Sequence, residues 1–278
     1  RLERKGLKNF KLLLGDCSDP FLQSMIEGKN VTQVYHAAAY KHVNLSKLMP
    51  QIYYRYNINS FISILKFCQS HDTKLTLIST DKAVEPINPM GFSKRLCEFI
   101  AVNAINNGDP VTIVRFGNVI NSSGSVIPLF RAQIESGGPI LLTDREATRY
   151  FMSISEAVDL VLQASKLRPN TYVLDMGEPV KIIDVAYKVA SEYGKEIVDN
   201  PSSEDEIAMK IIGLREGEKL EEKLTYQKIS ESEIKGIYKA EEFKDFNTEL
   251  IQSIINCIQN DLPLDINKID WENGNWIK

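Results

Sequence analysis

A chain of 278 residues, 43% hydrophobic and 25% charged, can bury a sizeable core in one large domain or in one domain with a smaller lobe. Its 33 basic and 37 acidic residues are interspersed and leave a net charge of −4, so no basic face neutralises phosphates and nucleic acid is not an expected partner. Cys17, Cys68, Cys97 and Cys257 form no Cys-x-x-Cys pair, and His36, His42 and His71 lack ligand spacing, which argues for a reduced compartment and no metal site.

In chain order, β-rich runs alternate with helical patterns. The runs are "FKLLLGD" (10–16), "VTQVYHAAA" (31–39), "KLTLIST" (74–80), "VTIVRFGNV" (111–119) and "TYVLDMG" (171–177), with helices predicted over 19–27, 52–70 and 88–106. Such alternation predicts a parallel sheet covered by helices on both faces. After Gly117, the small residues of "NSSGSVIP" predict a loop, and 126–135 restarts a helical pattern. "ISEAVDLVLQAS" has amphipathic spacing from a Ser155 cap, and "PVKIIDVAYKVASEYG" ends at Gly194. From 195 onward Lys and Glu are denser. The expected division is therefore a core over 1–194, with interleaved substrate-binding segments, and a smaller lobe and tail over 195–278.

No apolar run approaches the ~18 residues of a membrane span, and no signal peptide is recognisable. A soluble, cytoplasmic chain is expected. It begins "RLERKGLKNF", without an initiator methionine, and the expectation is a fragment.

Ligands of open parallel sheets bind at the carboxyl ends of the strands. Here those ends carry "GDCSD", "HAAAYKH", "STDK" and "RFGNV". Each has a bland reading: Asp16 as a helix cap, 37–39 as packing under a turn, Asp81-Lys82 as an exposed turn pair, "REGEK" as a charged turn. Four polar or small ends on one edge of one sheet point instead to a ligand site.

The segments "HAAAYKHV", "STDKAVEPINPMGFSKR", "VRFGNVINSSGSVIPLFRAQI", "TRYFMSISEAVDLVLQA", "YVLDMGEPVKIIDVA" and "GLREGEKLEEKL" cover nearly the whole chain. Together they resemble the bacterial capsule and O-antigen nucleotide-sugar 4,6-dehydratases, extended short-chain dehydrogenase/reductases, in the branch acting on UDP-N-acetylglucosamine. The resemblance implies a Rossmann-type doubly wound α/β fold with a smaller C-terminal substrate-binding lobe. It also implies NAD (NADP being the other option), a UDP-sugar substrate, a homo-oligomer, and a parent protein anchored in a membrane through a further N-terminal region. Hydride would leave C4 for the cofactor, water would be eliminated across C5 and C6, and the same hydride would return to C6.

That cycle needs an acid, a base and a path for the C4 hydroxyl proton. By resemblance, Asp81 protonates the leaving hydroxyl and Lys82 removes the C5 proton. A lysine acts as a base only if burial or a neighbouring cation lowers its pKa, and Lys94 and Lys41 are the candidates for that cation. Met90 stands where most relatives carry tyrosine, leaving Thr80, Asp81, Lys82 or a water for the C4 proton. Lys94 is expected on the nicotinamide ribose, Asp16 and Cys17 at the adenine, Ala37 and Lys41 at the middle of the cofactor, and Asn57 at its ribose or phosphate. Lys41 also comes within reach of the sugar nucleotide. The remaining substrate positions are Asn118, Val119, the loop Ser123, Gly124, Ser125, Val126 and Pro128, then Thr143, Arg149, Arg215 and Glu218.

Alternatives on the same fold are an inverting dehydratase or a nucleotide-sugar 4-epimerase, which would be expected to keep the tyrosine. A third is a catalytically silent nucleotide-sugar-binding piece. It draws support from the lack of a Gly-x-x-Gly-x-x-Gly turn, which would lie before Arg1 and without which this chain alone is expected to be inactive.

Overall fold

The computed structural model describes residues 6, 8–122, 124–226, 228–241, 247–260, 262, 268–270 and 275–276. The runs around Leu77 and Ile113 are buried on both faces, as befits inner parallel strands, while the edge run around Val34 leaves Tyr35 exposed. They form β1 (Gln33–His36), β2 (Lys74–Thr80) and β3 (Val111–Phe116), followed in the chain by β4 (Ile140–Leu142), β5 (Thr171–Leu174), β6 (Glu196–Val198), β7 (Glu206–Ile211), β8 (Ile229–Glu231) and β9 (Ile237–Ala240). The main sheet runs β1-β2-β3-β5-β9-β8, parallel as far as β5 and antiparallel beyond it. A second, parallel sheet runs β6-β7-β4.

The helices are α1 (Asn59–Ser70), α2 (Pro89–Asn106), α3 (Val126–Glu135), α4 (Ile154–Ala164), α5 (Ile182–Glu192) and α6 (Thr248–Gln259). Successive strand residues face opposite sides. Leu75, Leu77 and Ile113 therefore pack under α1, α2 and α6 with Phe61, Leu96, Phe99 and Ile254. Val114, Tyr172 and Leu174 meet Ala157, Val161 and Ala164 of α4 on the other side. The result is a doubly wound, largely parallel α/β sheet of Rossmann type. The second sheet packs on α3 and α5 through Phe130, Ile140, Leu142, Ala186 and Ile207. Among the described residues no helix is long and apolar enough to cross a membrane.

Helix α2 carries the site's main helical residues, and its sequence fixes its start. Asn88 caps it by accepting from the Gly91 N–H at 2.8 Å, and Pro89 takes the first turn, where no N–H is needed. A β-carbon on Gly91 would stand 2.4 Å from the Lys82 carbonyl oxygen, so glycine lets the helix approach the turn after β2. Further along, Glu98 is fully buried and accepts from Ser79 Oγ (2.6 Å), Arg95 Nη1 (2.9 Å), Arg115 Nε (3.0 Å) and Arg115 Nη2 (2.8 Å). The Arg95 guanidinium lies between the Phe99 and Tyr226 rings, 4.7 and 4.5 Å from their centroids.

The structure departs from the sequence reading in places. Residues 10–16 form no strand: a strand needs a neighbour for its N–H and C=O groups, and this run has none among the described residues, with Leu12 and Leu14 exposed. The helix predicted over 19–27 shrinks to Pro20–Ser24, capped by Asp19. Helical structure instead starts earlier than expected at Pro50 and runs through a π-helical turn, Tyr54–Ile58, into α1. The cap of α4 is Ser153, not Ser155, because Ser153 and Glu156 satisfy each other's backbone N–H groups in a capping box. Pairing also crosses the division expected at 195. Strand β7 pairs with β4, β9 pairs with β5, and α6 packs on the first core.

Candidate active site

At the carboxyl ends of β1 to β3 lies a cavity of about 660 Å³, closed on its far side by α3, β4 and the segment 215–222. Of the residues singled out from the sequence, Ala37, Lys41, Thr80, Lys82, Met90, Lys94, Asn118, Val119, Gly124, Ser125, Val126, Thr143, Arg149, Arg215 and Glu218 line it. Asp16, Cys17, Asn57, Asp81 and Pro128 are not on its wall. Ser123 lies outside the described residues.

The turn after β2 arranges the central group. Thr80 accepts from the Lys82 N–H at 3.4 Å, capping a short 3-10 turn, and its hydroxyl donates to Asp81 Oδ1 at 2.8 Å. Lys82 Nζ donates to the same Oδ1 at 2.9 Å and to Asn118 Oδ1 at 3.2 Å, with Glu222 Oε1 at 3.7 Å. Asp81 is fully buried, and among the described residues its Oδ2 has no hydrogen-bond partner. It faces Gly117, where a β-carbon would sit 3.3 Å from that oxygen and 2.9 Å from Tyr150 Cβ. Asp81 thus stands behind Lys82 and off the cavity wall, whereas the sequence reading has it protonating the leaving hydroxyl.

Burial works to lower the pKa of Lys82, but Asp81 and Glu222 outweigh it and raise the pKa above the usual lysine value. Lys82 therefore rests as an ammonium. The cation that does bear on it is Arg149, not Lys94 or Lys41 as the sequence reading had it. Lys94 is depressed by burial, which exceeds the pull of Cys97 and Glu98 in the other direction, and its ammonium donates to the Ile78 carbonyl at 2.6 Å. Nearby, burial and then Lys94 push His36 down to about 3, so it stays neutral in the fold. Met90 is buried on the cavity wall and offers no exchangeable proton.

Asn57 has a different task from the one expected. Its side chain accepts from the Tyr40 N–H (2.7 Å) and donates to the Tyr40 carbonyl (3.1 Å) and Ser93 Oγ (2.8 Å). Both donors are committed to holding the 37–42 loop against α2. Asp16 likewise spends its Oδ1 on the N–H and hydroxyl of Ser18, away from the cavity.

Segment 213–224 is fastened by side chains from several elements. Arg149 donates to the carbonyls of Thr148 (2.6 Å), Lys219 (2.7 Å) and Leu220 (3.0 Å), so its fork grips backbone. Asn88 holds the Gly217 carbonyl at 2.9 Å, and Arg115 holds that of Leu224 at 3.0 Å. Arg215 and Glu218 face each other loosely at 3.8 Å, leaving the Arg215 guanidinium half exposed beside the cavity. The residue that sequence reading missed is Glu222, buried on the cavity wall within the same "GLREGEKLEEKL" motif.

The family described as polysaccharide biosynthesis protein matches residues 2–242. Capsular polysaccharide biosynthesis protein CapD of Staphylococcus aureus is 46% identical over 196 residues, 69% of this chain and 32% of CapD. A UDP-glucose 4-epimerase of Rickettsia prowazekii is 35% identical over 230 residues, 80% of this chain and 64% of the epimerase. The chain thus spans about a third of the first relative's length and under two thirds of the second's. Among solved structures, Pen from Bacillus thuringiensis aligns with a TM-score of 0.70 at 31% identity, over 80% of this chain and 69% of Pen. The fold is shared with DesIV, a dTDP-glucose 4,6-dehydratase from Streptomyces venezuelae solved with NAD and TYD (TM-score 0.64, 19% identity, 76% of this chain and 69% of DesIV).

Proposed function

This chain belongs to the family described as polysaccharide biosynthesis protein, and from that premise we propose that it converts a UDP-sugar by transient oxidation at C4, the chemistry named for its UDP-glucose 4-epimerase relatives being of this kind. The reading that the geometry favours is 4,6-dehydration of UDP-N-acetylglucosamine. The observation carrying it is the Lys82 ammonium on the cavity wall, backed by Asp81 at 2.9 Å, beside a methionine in the tyrosine's place. A 4-epimerase needs proton exchange at the 4-hydroxyl alone, whereas dehydration also needs it at C5 and at the C6 oxygen.

The residues present fit one end of NAD: Ala37, Lys41, Thr80 and Lys94 line the cavity at the ends of β1 and β2. Asp16 and Cys17 stand apart from it. NAD, when bound, supplies the hydride acceptor and donor. Thr80, on the wall and bonded to Asp81, offers the 4-hydroxyl proton a hydroxyl-to-carboxylate path that Met90 cannot. Lys82 exchanges protons at C5 and the C6 oxygen, with Asp81 behind it as counter-charge. Arg215 is placed for the diphosphate. Assembly as a homo-oligomer and attachment of the parent protein to a membrane belong to the same proposal.

The second reading, a UDP-sugar 4-epimerase, is favoured by the relatives that carry this activity in their names. Proton NMR of the full-length protein with NAD and UDP-N-acetylglucosamine separates the two. Dehydration yields a new 6-methyl doublet, carrying deuterium when C4 was labelled; epimerisation shifts the C4 proton and yields no methyl. Absence of both changes sinks the proposal.

A further inference from the structure

Glu222 comes from a part of the chain far from Lys82, and no step above uses it. Its side chain is 4% exposed, yet it reaches the cavity wall. Oε1 stands 3.7 Å from Lys82 Nζ and Oε2 stands 3.5 Å from Lys219 Nζ, while Oε2 has no hydrogen-bond partner among the described residues. Lys219 is itself committed, donating to the Val84 carbonyl at 2.6 Å. The flanking backbone is pinned at 217, 219, 220 and 224 by Asn88, Arg149 and Arg115. A buried carboxylate with an open valence, on a backbone held from three sides, is costly to keep unless its charge is used.

We propose that Glu222 is a positioning residue that holds the Lys82 ammonium between Asp81 and Asn118 and sets its affinity for the proton it exchanges. The charged groups facing Lys82 are Asp81 from its own turn, Glu222 from the 213–224 segment and Arg149 from the short antiparallel pairing of 148–149 with 180–181; Lys219 faces Glu222. Two carboxylates against one nearby guanidinium leave the ammonium favoured. Removing the Glu222 charge reverses part of that balance, so Lys82 gives up its proton at lower pH. The direction is the same whichever way Lys82 moves a proton in turnover. If the neutral amine is the working form, the acid limb of kcat/KM moves down; if the ammonium is, the alkaline limb does.

The inference rests on the proposed role of Lys82 only for its kinetic readout, so the primary test avoids turnover. In full-length protein carrying labelled lysine, the Lys82 side-chain NMR titration is compared among wild type, Glu222→Gln and Glu222→Asp. Glu222→Gln should move the Lys82 midpoint down by about 0.8 pH unit or more, the lower bound being what a unit charge at this distance exerts through a water-like dielectric. Glu222→Asp, its carboxylate drawn back by one methylene, should move it less. An unchanged midpoint in folded Glu222→Gln overturns the proposal. If Glu222→Gln does not fold, an unchanged midpoint in Glu222→Asp overturns it instead. A shifted midpoint with no turnover by any variant or by wild type leaves Glu222 in its role and removes the dehydratase reading.

Discussion

Ser79 and Thr80 are neighbours on β2, yet their side chains enter two different clusters of buried charge. Ser79 joins Glu98, whose carboxylate takes four hydrogen bonds from a serine and two arginines. Thr80 joins Asp81 and Lys82, where, among the described residues, Asp81 Oδ2 and the nearby Glu222 Oε2 lack partners. Burial is alike in the two places, but saturation of the carboxylates is not. A carboxylate that already takes four hydrogen bonds has no valence left for a ligand and serves to join β2, β3 and α2. An unsaturated one keeps electrostatic work in reserve for a group that arrives from the cavity.

The sharpest break in this contrast is Asp81→Asn. It should lower turnover of the full-length protein by about 10²- to 10⁴-fold, the span of proton-transfer groups, with UDP-sugar affinity and melting temperature little changed. A variant that turns over normally takes Asp81 out of the chemistry. Glu98→Gln should do the opposite, costing about 3–5 kcal/mol in denaturant unfolding because it leaves two buried guanidinium groups uncompensated. A loss below 1 kcal/mol, on the order of a surface pair, would mean the arginines find other partners at little cost.

His36 offers a third kind of buried group, an imidazole kept neutral. It titrates at about 3 in the fold against the usual 6.5, so between these values the unfolded chain binds the extra proton. Its contribution is complete above pH 6.5 and is lost as pH falls toward 3, with a slope of about 1.4 kcal/mol per pH unit per proton. Unfolding curves of His36→Leu should be flatter across that window; parallel curves would refute the assignment. The smallest effect is expected at Met90→Leu, where volume is kept: less than about 1.5 kcal/mol in stability and turnover within a few-fold. A collapse there would give the thioether a task beyond packing.

Much of the main sheet was legible because its signals are local. The run 74–80 is a strand over its full predicted length, and Asn88-Pro89 marks the start of α2 to the residue. What failed to show depends on partners distant in sequence. Residues 10–16 have strand composition but, among the described residues, no neighbour to pair with, and β4 meets β7 across some sixty residues of intervening chain. In the cavity, Lys82, Asn118 and Arg149 came from motifs, but a dipeptide does not say which member faces the cavity, and of Asp81 and Lys82 only Lys82 lines it. Arg95 and Glu98 stand three apart on a helix with no local pattern to mark them as buried, and Glu222 is one carboxylate among several in "EGEKLEEKL". Their burial is a property of the packed whole.

The cross-chain pinning of segment 213–224 bears on how the protein comes off the ribosome. Lys82, Asp81 and Asn118 emerge early and can settle against one another while synthesis continues. The far wall of the cavity and the second carboxylate arrive only with the β7 strand and the segment after it, gripped by Asn88, Arg115 and Arg149, which were made much earlier. A nascent chain halted near residue 200 would present a half-built pocket. The site is completed when segment 213–224 folds back onto residues translated before it.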